Sequence, residues 1–179
     1  MVSPFLYFPG ERLSLTELTA ACLDGLLTPI GEGFMPADAV ETAWMRARSL
    51  APLLGERWAA VRASAAWVHG GLALEPSRHH VQRAAAERVR PVRSAGVVVH
   101  DVRIPPGDVV HIAGVRVSTP ERTLVDLARS PDADDLAAAR SWAASAPELL
   151  AGARAWLARH PRFPYGRCAD EVLGGVRTT

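Results

Sequence analysis

The histidines are the residues of this sequence best suited to metal binding or acid–base chemistry. None of the six falls in an H-E-x-x-H or H-x-x-x-H pattern, the spacings that place two imidazoles on one face of a helix. Paired strands could bring His100, Asp101 and His111 together as a metal or acid–base cluster. Alternating polar residues on a half-exposed sheet explain the same pattern equally well. His79 and His80 would point to opposite faces of a strand, so both are not expected to bind one metal ion.

Several enzyme classes are excluded by residue type. All twenty basic residues are arginine, and the absence of lysine excludes a P-loop and a Schiff-base enzyme. It also removes the lysine of the usual carboxylate-and-lysine nuclease sites. Ser64 has no G-x-S-x-G elbow around it. The sequence therefore predicts a protein that is not an enzyme, with no bound metal and no cofactor.

Two groups of charged residues remain as candidates. Arg122, Asp126 and Arg129 have i, i+4 and i, i+3 spacing on a predicted helix, a pattern more typical of a structural anchor than of catalysis. The segment 78–93 carries a local charge of +4 with neutral histidines, and it predicts a surface for nucleic acid or an acidic partner. The predicted contact residues of that surface are Arg78, His80, Arg83, Arg88, Arg90 and Arg93. The alternative is a solvated arginine-rich loop, since no aromatic residues alternate with the arginines.

The elements that position these residues are clearest between residues 95 and 129. Three adjacent valines, Val97–Val99, favour a strand buried on both faces. Two further strand-like runs, 109–112 and 115–117, are joined by Ala113-Gly114 and predict a tight hairpin. The following helix has two candidate starts: a capping box of Ser118 with Glu121, or a Thr119 cap with Pro120 at the first position.

The first 55 residues predict a reduced winged-helix-like module. Ser14 and Glu17 form a capping box for a helix over Leu13–Gly25, and a glycine-containing hairpin follows over Leu26–Pro36. The candidate DNA contacts in this module are Thr16, Thr19, Arg46 and Arg48. Two features weaken DNA binding: few residues precede Leu13, and residues 1–60 carry four arginines against seven acidic residues, a balance of −3.

Amphipathic spacing predicts further helices. One covers Asp38–Leu54, with Asp38 and Glu41 as a capping box and Trp44 in the core. A second covers Val61–Gly71, where His69 is expected to satisfy the last helical carbonyls or the helix dipole. The C-terminal helices are predicted over 132–146, 147–160 and from residue 166 onwards.

Composition is that of an ordinary globular protein. Hydrophobic residues make up 49% and charged residues 22%, and the formal net charge is +1. No apolar run approaches the ~18 residues of a spanning helix, so no membrane association is expected. Cys22 and Cys168 are distant in sequence and are expected to be reduced thiols, which favours a cytoplasmic location.

The run GVRVSTPERTLVDLAR at Gly114–Arg129, with the upstream SAAWVHGG at Ser64–Gly71, resembles the AbiEi-type antitoxins of type IV toxin–antitoxin systems. The resemblance extends over roughly residues 13–145. The expected fold class is α+β, a small mixed or antiparallel sheet with flanking helices. Residues 1–55 form the reduced winged-helix-like module, and residues 56–179 form the antitoxin-like core with C-terminal helices.

The resemblance implies a non-enzymatic antitoxin and transcriptional autorepressor. Such a protein binds operator DNA and counteracts a nucleotidyltransferase-type toxin without a stable toxin complex. The 78–93 surface would engage an RNA or another target shared with the toxin. The alternative is a stand-alone protein-interaction domain without DNA binding, which the acidic N-terminal segment favours. The oligomeric state is left open.

Overall fold

The computed structural model describes residues 5–87 and 95–176. Within these residues the helices are α1 (Leu15–Leu23), α2 (Ala43–Ser49), α3 (Ala51–Leu54), α4 (Arg62–Val68), α5 (Pro120–Ala128), α6 (Ala133–Ser145), α7 (Pro147–Arg159) and α8 (Gly166–Gly174). The strands are β1 (Leu27–Ile30), β2 (Gly33–Pro36), β3 (Trp58–Ala60), β4 (His79–Arg83), β5 (Val97–His100), β6 (Val109–Ile112) and β7 (Val115–Ser118). None of the described helices combines the length and apolar character needed to cross a membrane.

The strands form two sheets, and the larger one is mixed. Its order is β5-β4-β3-β7-β6, with β3 antiparallel to β4 and parallel to β7. Strand β4 is parallel to β5, and β6 is antiparallel to β7. Strands β1 and β2 form a separate antiparallel hairpin directly after α1. The predicted α+β class with a small mixed sheet is confirmed.

The β6–β7 hairpin has the predicted turn. Ala113 and Gly114 have φ angles of 53° and 79°. Two consecutive positive φ angles are those of a type I′ turn, whose twist matches that of the flanking strands. The two-residue loop thereby fixes the register, in which Ile112 pairs with Val115.

Helix α5 uses the second of its two candidate starts. The Thr119 hydroxyl accepts a hydrogen bond from the Arg122 N–H, and Pro120 is the first helical residue. Ser118 still belongs to β7, and its hydroxyl lies 2.6 Å from that of Thr123. A capping box beginning at Ser118 is therefore absent, because that residue remains in the strand ladder.

Strand β5 differs from its prediction. It lies at the edge of the sheet and pairs with β4 alone among the described strands. Val97 is buried, whereas Val98, Val99 and His100 are half-buried. The expectation of a strand buried on both faces is wrong, because sequence hydrophobicity does not encode strand order.

The N-terminal segment keeps its predicted helix and hairpin. Ser14 and Glu17 form the capping box of α1, in which the Ser14 hydroxyl and the Glu17 carboxylate each accept a backbone N–H. Gly31, with φ of 52°, turns the chain between β1 and β2. A helix followed by a two-stranded hairpin matches the winged-helix-like description of this segment.

The predicted helix over Asp38–Leu54 is shorter and divided. The Ala39 N–H donates to the Pro36 carbonyl in a turn, so the chain becomes helical only at Ala43, with Thr42 as the N-cap. Trp44 is 43% exposed, and its predicted place in the core is wrong. Helix α2 buries Met45, Ala47 and Ser49 instead.

Two large apolar clusters form the core of the described residues. The first joins the N-terminal segment to the sheet and α4, and includes Leu6, Ile30, Met45, Trp58, Trp67 and Val117. The second lies among α5, α6, α7 and α8, and includes Leu124, Trp142, Trp156 and Leu173. The first cluster thus spans the predicted domain boundary at residues 55 and 56. The division itself stays a prediction.

The C-terminal helices begin as predicted. The Asp132 carboxylate accepts the Asp134 N–H at 2.8 Å and the Asp135 N–H at 3.4 Å, which caps α6. Pro147 is the first residue of α7, where the N–H that proline lacks would have no helical partner. Helix α8 follows a short proline-containing segment and buries Ala169 and Leu173.

Gly71→Ala is expected to lower the free energy of unfolding by about 1–3 kcal/mol, as overpacking of a core does. A Cβ at Gly71 would overlap three atoms of the Trp142 indole, a ring that is itself buried. Urea unfolding measures the loss. Gly174→Ala is the matched control, because its new methyl group meets open space. Equal stability of the two variants would contradict the prediction.

Candidate functional site

A buried network of charged side chains lies where α5 meets the start of β6 and helix α7. The Arg122 guanidinium contacts the carboxylate of Asp108 at 2.7 Å and that of Asp126 at 2.9 Å. Asp126 also accepts from Arg129 at 2.8 Å, and Asp108 accepts from the Trp156 indole N–H at 2.8 Å. Each buried charge therefore has a partner, as burial requires.

Aromatic rings complete this network. The Arg122 guanidinium carbon lies 5.3 Å from the centre of the Trp156 ring and 4.7 Å from that of Phe163. The Arg129 guanidinium carbon lies 4.6 Å from the Phe163 ring. Two guanidinium groups close to aromatic faces add cation–π attraction to the ion pairs. The network thereby links the hairpin, α5, α7 and the segment after α7.

His80 and His100 form a pair on neighbouring strands β4 and β5. The His80 Nδ1 lies 3.3 Å from the His100 Nε2, and the rings stack with centroids 5.4 Å apart. Burial, followed by the nearby Arg62 charge, lowers the pKa of His100 to about 4. Burial also lowers the pKa of His80, against the opposing field of Asp135. Both imidazoles are therefore neutral near pH 7.

The predicted cluster of His100, Asp101 and His111 does not form. His100 and His111 lie on β5 and β6, the opposite edges of the sheet, with three strands between them. Asp101 faces Arg83 instead, with its carboxylate 3.5 Å from the Arg83 Nε. Across residues 5–87 and 95–176, no group of three or more metal-ligating side chains is placed to hold a metal ion.

Acidification is expected to destabilise the protein through these histidines. Their folded-state pKa values lie below the ordinary value of 6.5, so the unfolded chain binds more protons as the pH falls. The stability they contribute is complete above about pH 6.5 and is lost as the pH falls towards about 4. Urea unfolding at several pH values measures the slope. We expect His100→Gln to have a shallower slope than the native chain, and identical slopes would contradict the assignment.

The predicted 78–93 surface is divided by the structure. Arg78 is exposed at the start of β4, and its guanidinium lies 3.4 Å from the Val97 carbonyl. Arg83 lies at the other end of the strand, on the opposite face from His80. Its guanidinium faces Asp101 and donates to the carbonyls of residues 85, 86 and 87. Arg88, Arg90 and Arg93 lie outside the described residues. Of the predicted set, Arg78 lies near His80, whose pKa is lowered by burial and by the Arg62 and Arg78 charges.

Comparison with known proteins assigns the family. The sequence model of the AbiEi antitoxin C-terminal domain matches residues 58–156, more than half of the chain. The chain belongs to the AbiEi antitoxin family. This membership supports an antitoxin role in a toxin–antitoxin system.

The match runs from the start of β3 into α7, so it contains the five-stranded sheet and the buried charge network of this AbiEi protein. The solved structure of the RV2827C protein from Mycobacterium tuberculosis is similar at 18% identity, covering 98% of this chain and 78% of that one, with a TM-score of 0.40. A search of curated proteins found no match.

The predicted DNA contacts of this AbiEi chain lie on two different helices. Thr16 and Thr19 are exposed on α1, where the Thr19 hydroxyl donates to the Leu15 carbonyl. The Arg46 guanidinium on α2 is already occupied by contacts within the protein. It contacts Glu41 at 2.6 Å and donates to the backbone carbonyls of residues 67, 72 and 73. Arg48 is half-buried on the same helix. The geometry leaves Thr16, Thr19 and Arg48 as candidates for DNA contact.

His69 has a structural contact, although it differs from the predicted one. Its Nε2 lies 2.7 Å from the Ser118 carbonyl on β7. The predicted partner was a carbonyl of its own helix. Burial lowers the pKa of His69, so the neutral ring donates to that carbonyl. The ring also stacks on Trp142. His69 thereby ties the end of α4 to the sheet.

Arg62 is the residue near the histidine pair that sequence reasoning missed. It begins α4, and the preceding Val61 N–H donates to the His80 carbonyl at 3.0 Å. Its φ of 50° places an arginine in the left-handed region, which asparagine and aspartate favour among residues other than glycine. The sequence could not predict the positive φ of Arg62, because arginine is not one of the residue types that favour the left-handed region.

Proposed function

We propose that the chain is the antitoxin of a type IV toxin–antitoxin system and that it acts in the cytoplasm without enzymatic activity. It counteracts a nucleotidyltransferase-type toxin without forming a stable complex with it. The observation that carries this proposal is the AbiEi match over residues 58–156, which covers the five-stranded sheet and helices α4, α5 and α6. The target shared with the toxin, an RNA or another anionic partner, is bound by the 78–93 surface without Arg83, whose guanidinium is held by Asp101 and by the carbonyls of residues 85, 86 and 87.

Rescue from the toxin tests this role. The chain is co-expressed with a nucleotidyltransferase encoded in the neighbouring reading frame, and growth is measured. We expect the native chain to restore growth, and Arg88→Glu/Arg90→Glu to lose rescue by reversing four units of charge. Arg12→Glu/Arg140→Glu makes the same charge change at exposed positions elsewhere and is the matched control.

Two outcomes would overturn parts of the proposal. Undiminished rescue by Arg88→Glu/Arg90→Glu would remove the 78–93 surface from the mechanism. Stable co-purification of the toxin with the chain would contradict the type IV mechanism. Failure of the native chain to rescue growth would contradict the antitoxin role against that toxin.

We further propose that the N-terminal segment represses the chain's own operon. The order of α1 and the β1–β2 hairpin supports this proposal, since a helix and a wing are the DNA-contacting parts of winged-helix proteins. A gel-shift titration on the upstream DNA, at stated salt concentration, tests it. Specific retention supports repression, and loss of retention in Thr16→Glu/Thr19→Glu would assign it to α1.

A stand-alone protein-interaction domain is the second candidate. Two observations favour it. Residues 1–60 carry a charge of −3, and the Arg46 guanidinium is occupied by contacts within the protein. Phosphate contacts supply most non-specific DNA affinity, and this segment has few donors for them. Absence of any specific gel shift, together with failed rescue, would favour this second function.

A further inference from the structure

Two residues with unusual backbone conformations line one pocket beside α5. Of the non-glycine residues described, Arg62, Ala113 and Tyr165 have positive φ. Ala113 is explained by its hairpin turn, whereas Arg62 and Tyr165, at φ of 50° and 60°, both face a pocket of about 460 Å³. Strained residues persist where the surrounding structure holds them, and they cluster at ligand sites. The presence of both residues in one pocket therefore indicates a candidate ligand site.

The pocket contains one guanidinium that has no carboxylate partner among the described residues, that of Arg62. Within residues 5–87 and 95–176, the half-buried Arg62 side chain makes no ion pair and no hydrogen bond. Arg129, which also lines this pocket, is paired with Asp126 and contacts the Phe163 ring. The neighbouring His80 and His100 are neutral near pH 7. A half-buried guanidinium without a carboxylate is suited to bind an anionic group such as a phosphate.

Tyr165 connects this pocket to a second one. The second pocket has a volume of about 620 Å³ and is lined by Tyr165 together with three exposed arginines, Arg154, Arg162 and Arg167. Asp170, 3.7 Å from Arg154, is the carboxylate in that lining. The tyrosine is 73% exposed and belongs to the linings of both pockets. The two pockets therefore share one aromatic ring and each has arginine in its lining, and we call their combined surface the groove.

We propose that this groove binds a single-stranded polynucleotide. Arg62 binds one phosphate, Tyr165 stacks on an unpaired base, and Arg162 and Arg167 bind a following phosphate. Each pocket has the size of a typical small-ligand site, which suits one nucleotide. An exposed aromatic ring between cations is the arrangement by which proteins hold single strands without reading their sequence. The inference does not depend on the proposed antitoxin role.

Nucleic acid is favoured over an acidic peptide by the tyrosine. A peptide carboxylate would use the arginines but would have no need of an exposed ring in a strained backbone position. Duplex DNA is disfavoured for a related reason, since its paired bases are stacked on each other and are not free to stack on a side chain. Both RNA and DNA single strands carry the phosphates and bases that the groove requires.

Fluorescence anisotropy on the full chain tests the proposal. The probes are labelled RNA and DNA single strands of about 12 nucleotides, within the range that single-strand sites cover. We expect binding by one or both strands, and weakening of that binding when salt is raised from about 50 to 200 mM. RNA binding alone indicates contacts to the 2′-hydroxyl, whereas equal binding indicates recognition of phosphate and base.

Variants separate the contacts in the groove. Arg62→Gln and Tyr165→Asn are each expected to weaken binding by about tenfold, the size of one phosphate or stacking contact. Asparagine tolerates positive φ, so Tyr165→Asn removes the ring without adding backbone strain. Tyr165→Phe keeps the ring and is expected to bind like the native chain. Arg140→Gln is the control for loss of one exposed charge elsewhere.

Several results would overturn the proposal. These are absence of binding to both single strands, native affinity in both Arg62→Gln and Tyr165→Asn, and affinity for duplex DNA that these two variants weaken as much as they weaken single-strand binding. Polyglutamate could also displace the labelled strand as strongly as an unlabelled single strand does. If Tyr165→Asn leaves that displacement unchanged, the partner is an acidic protein instead. Thermal unfolding of each variant verifies that it is folded. The operator gel shift is not expected to change in Arg62→Gln, so this proposal and repression can fail separately.

Discussion

Replacing Arg122 by methionine is expected to lower the free energy of unfolding by about 3–5 kcal/mol, the usual cost of breaking a buried ion pair from one side. The Arg122 side chain is 5% exposed, and its partners Asp108 and Asp126 are 7% and 1% exposed. Methionine keeps most of the side-chain volume. The lower free energy of unfolding therefore results from the missing charge and not from a cavity. Without Arg122, the Asp108 carboxylate retains only the Trp156 indole as a donor among the described contacts. Urea unfolding followed by circular dichroism measures the change.

Two further variants test whether the loss in Arg122→Met comes from the unpaired buried charge. Arg129→Met removes the charge of a side chain that is 17% exposed, and we expect a smaller loss because water reaches part of that side chain. The double variant Asp108→Asn/Arg122→Met also removes the carboxylate charge that Arg122→Met leaves unpaired, since Asp126 keeps its contact with Arg129, and it is expected to recover part of the stability lost in Arg122→Met. A loss below about 1 kcal/mol in Arg122→Met would contradict the assignment of a network that needs its central charge.

Trp67→Ala is expected to cost about 3–5 kcal/mol, as for other large aromatic side chains removed from a core. Trp67 is 1% exposed within the first apolar cluster. Its ring centroid lies 6.1 Å from that of His79 on β4 and 5.5 Å from the Arg46 guanidinium carbon on α2. The ring therefore fills the space between the sheet and the N-terminal segment, and its removal leaves a cavity between them.

Trp44→Ala is the matched control for this variant, because Trp44 is 43% exposed on α2. Its expected cost is below about 1 kcal/mol, in the range of surface substitutions. The shape of the unfolding curve tests the predicted domain boundary as well. If residues 1–55 fold as a separate module, Trp67→Ala produces two transitions. If the shared cluster makes the chain one unit, a single transition shifts to lower urea concentration.

Local signals were enough to predict many elements of this fold. The Ala113-Gly114 turn, the Ser14 capping box and the Asp132 cap each depend on residues within a few positions of one another. The same holds for the Arg122–Asp126 and Asp126–Arg129 contacts, since the two residues of each pair are about one helical turn apart. Asp108 was absent from that predicted group because it reaches Arg122 only through the β6–β7 hairpin.

Non-local features were the ones that sequence could not supply. His100 pairs with His80 and not with His111 because β5 joins the sheet at the edge opposite β6, and strand order leaves no pattern in the hydrophobic residues. The late start of α2 follows from a turn at Pro36 that competes with a plausible capping box at Asp38. The strained position of Arg62 has no compositional sign at all.

Helix α4 carries five consecutive buried residues, from Ser64 to Val68, so it has no side open to water over that stretch. Ala65, Trp67 and Val68 pack into the first apolar cluster, while Ala66 packs into the second. A helix shared in this way cannot open without exposing both clusters at once. Its amide protons are therefore expected to exchange with deuterium only through global unfolding, whereas those of α1, which buries Leu18 alone, exchange through local fraying.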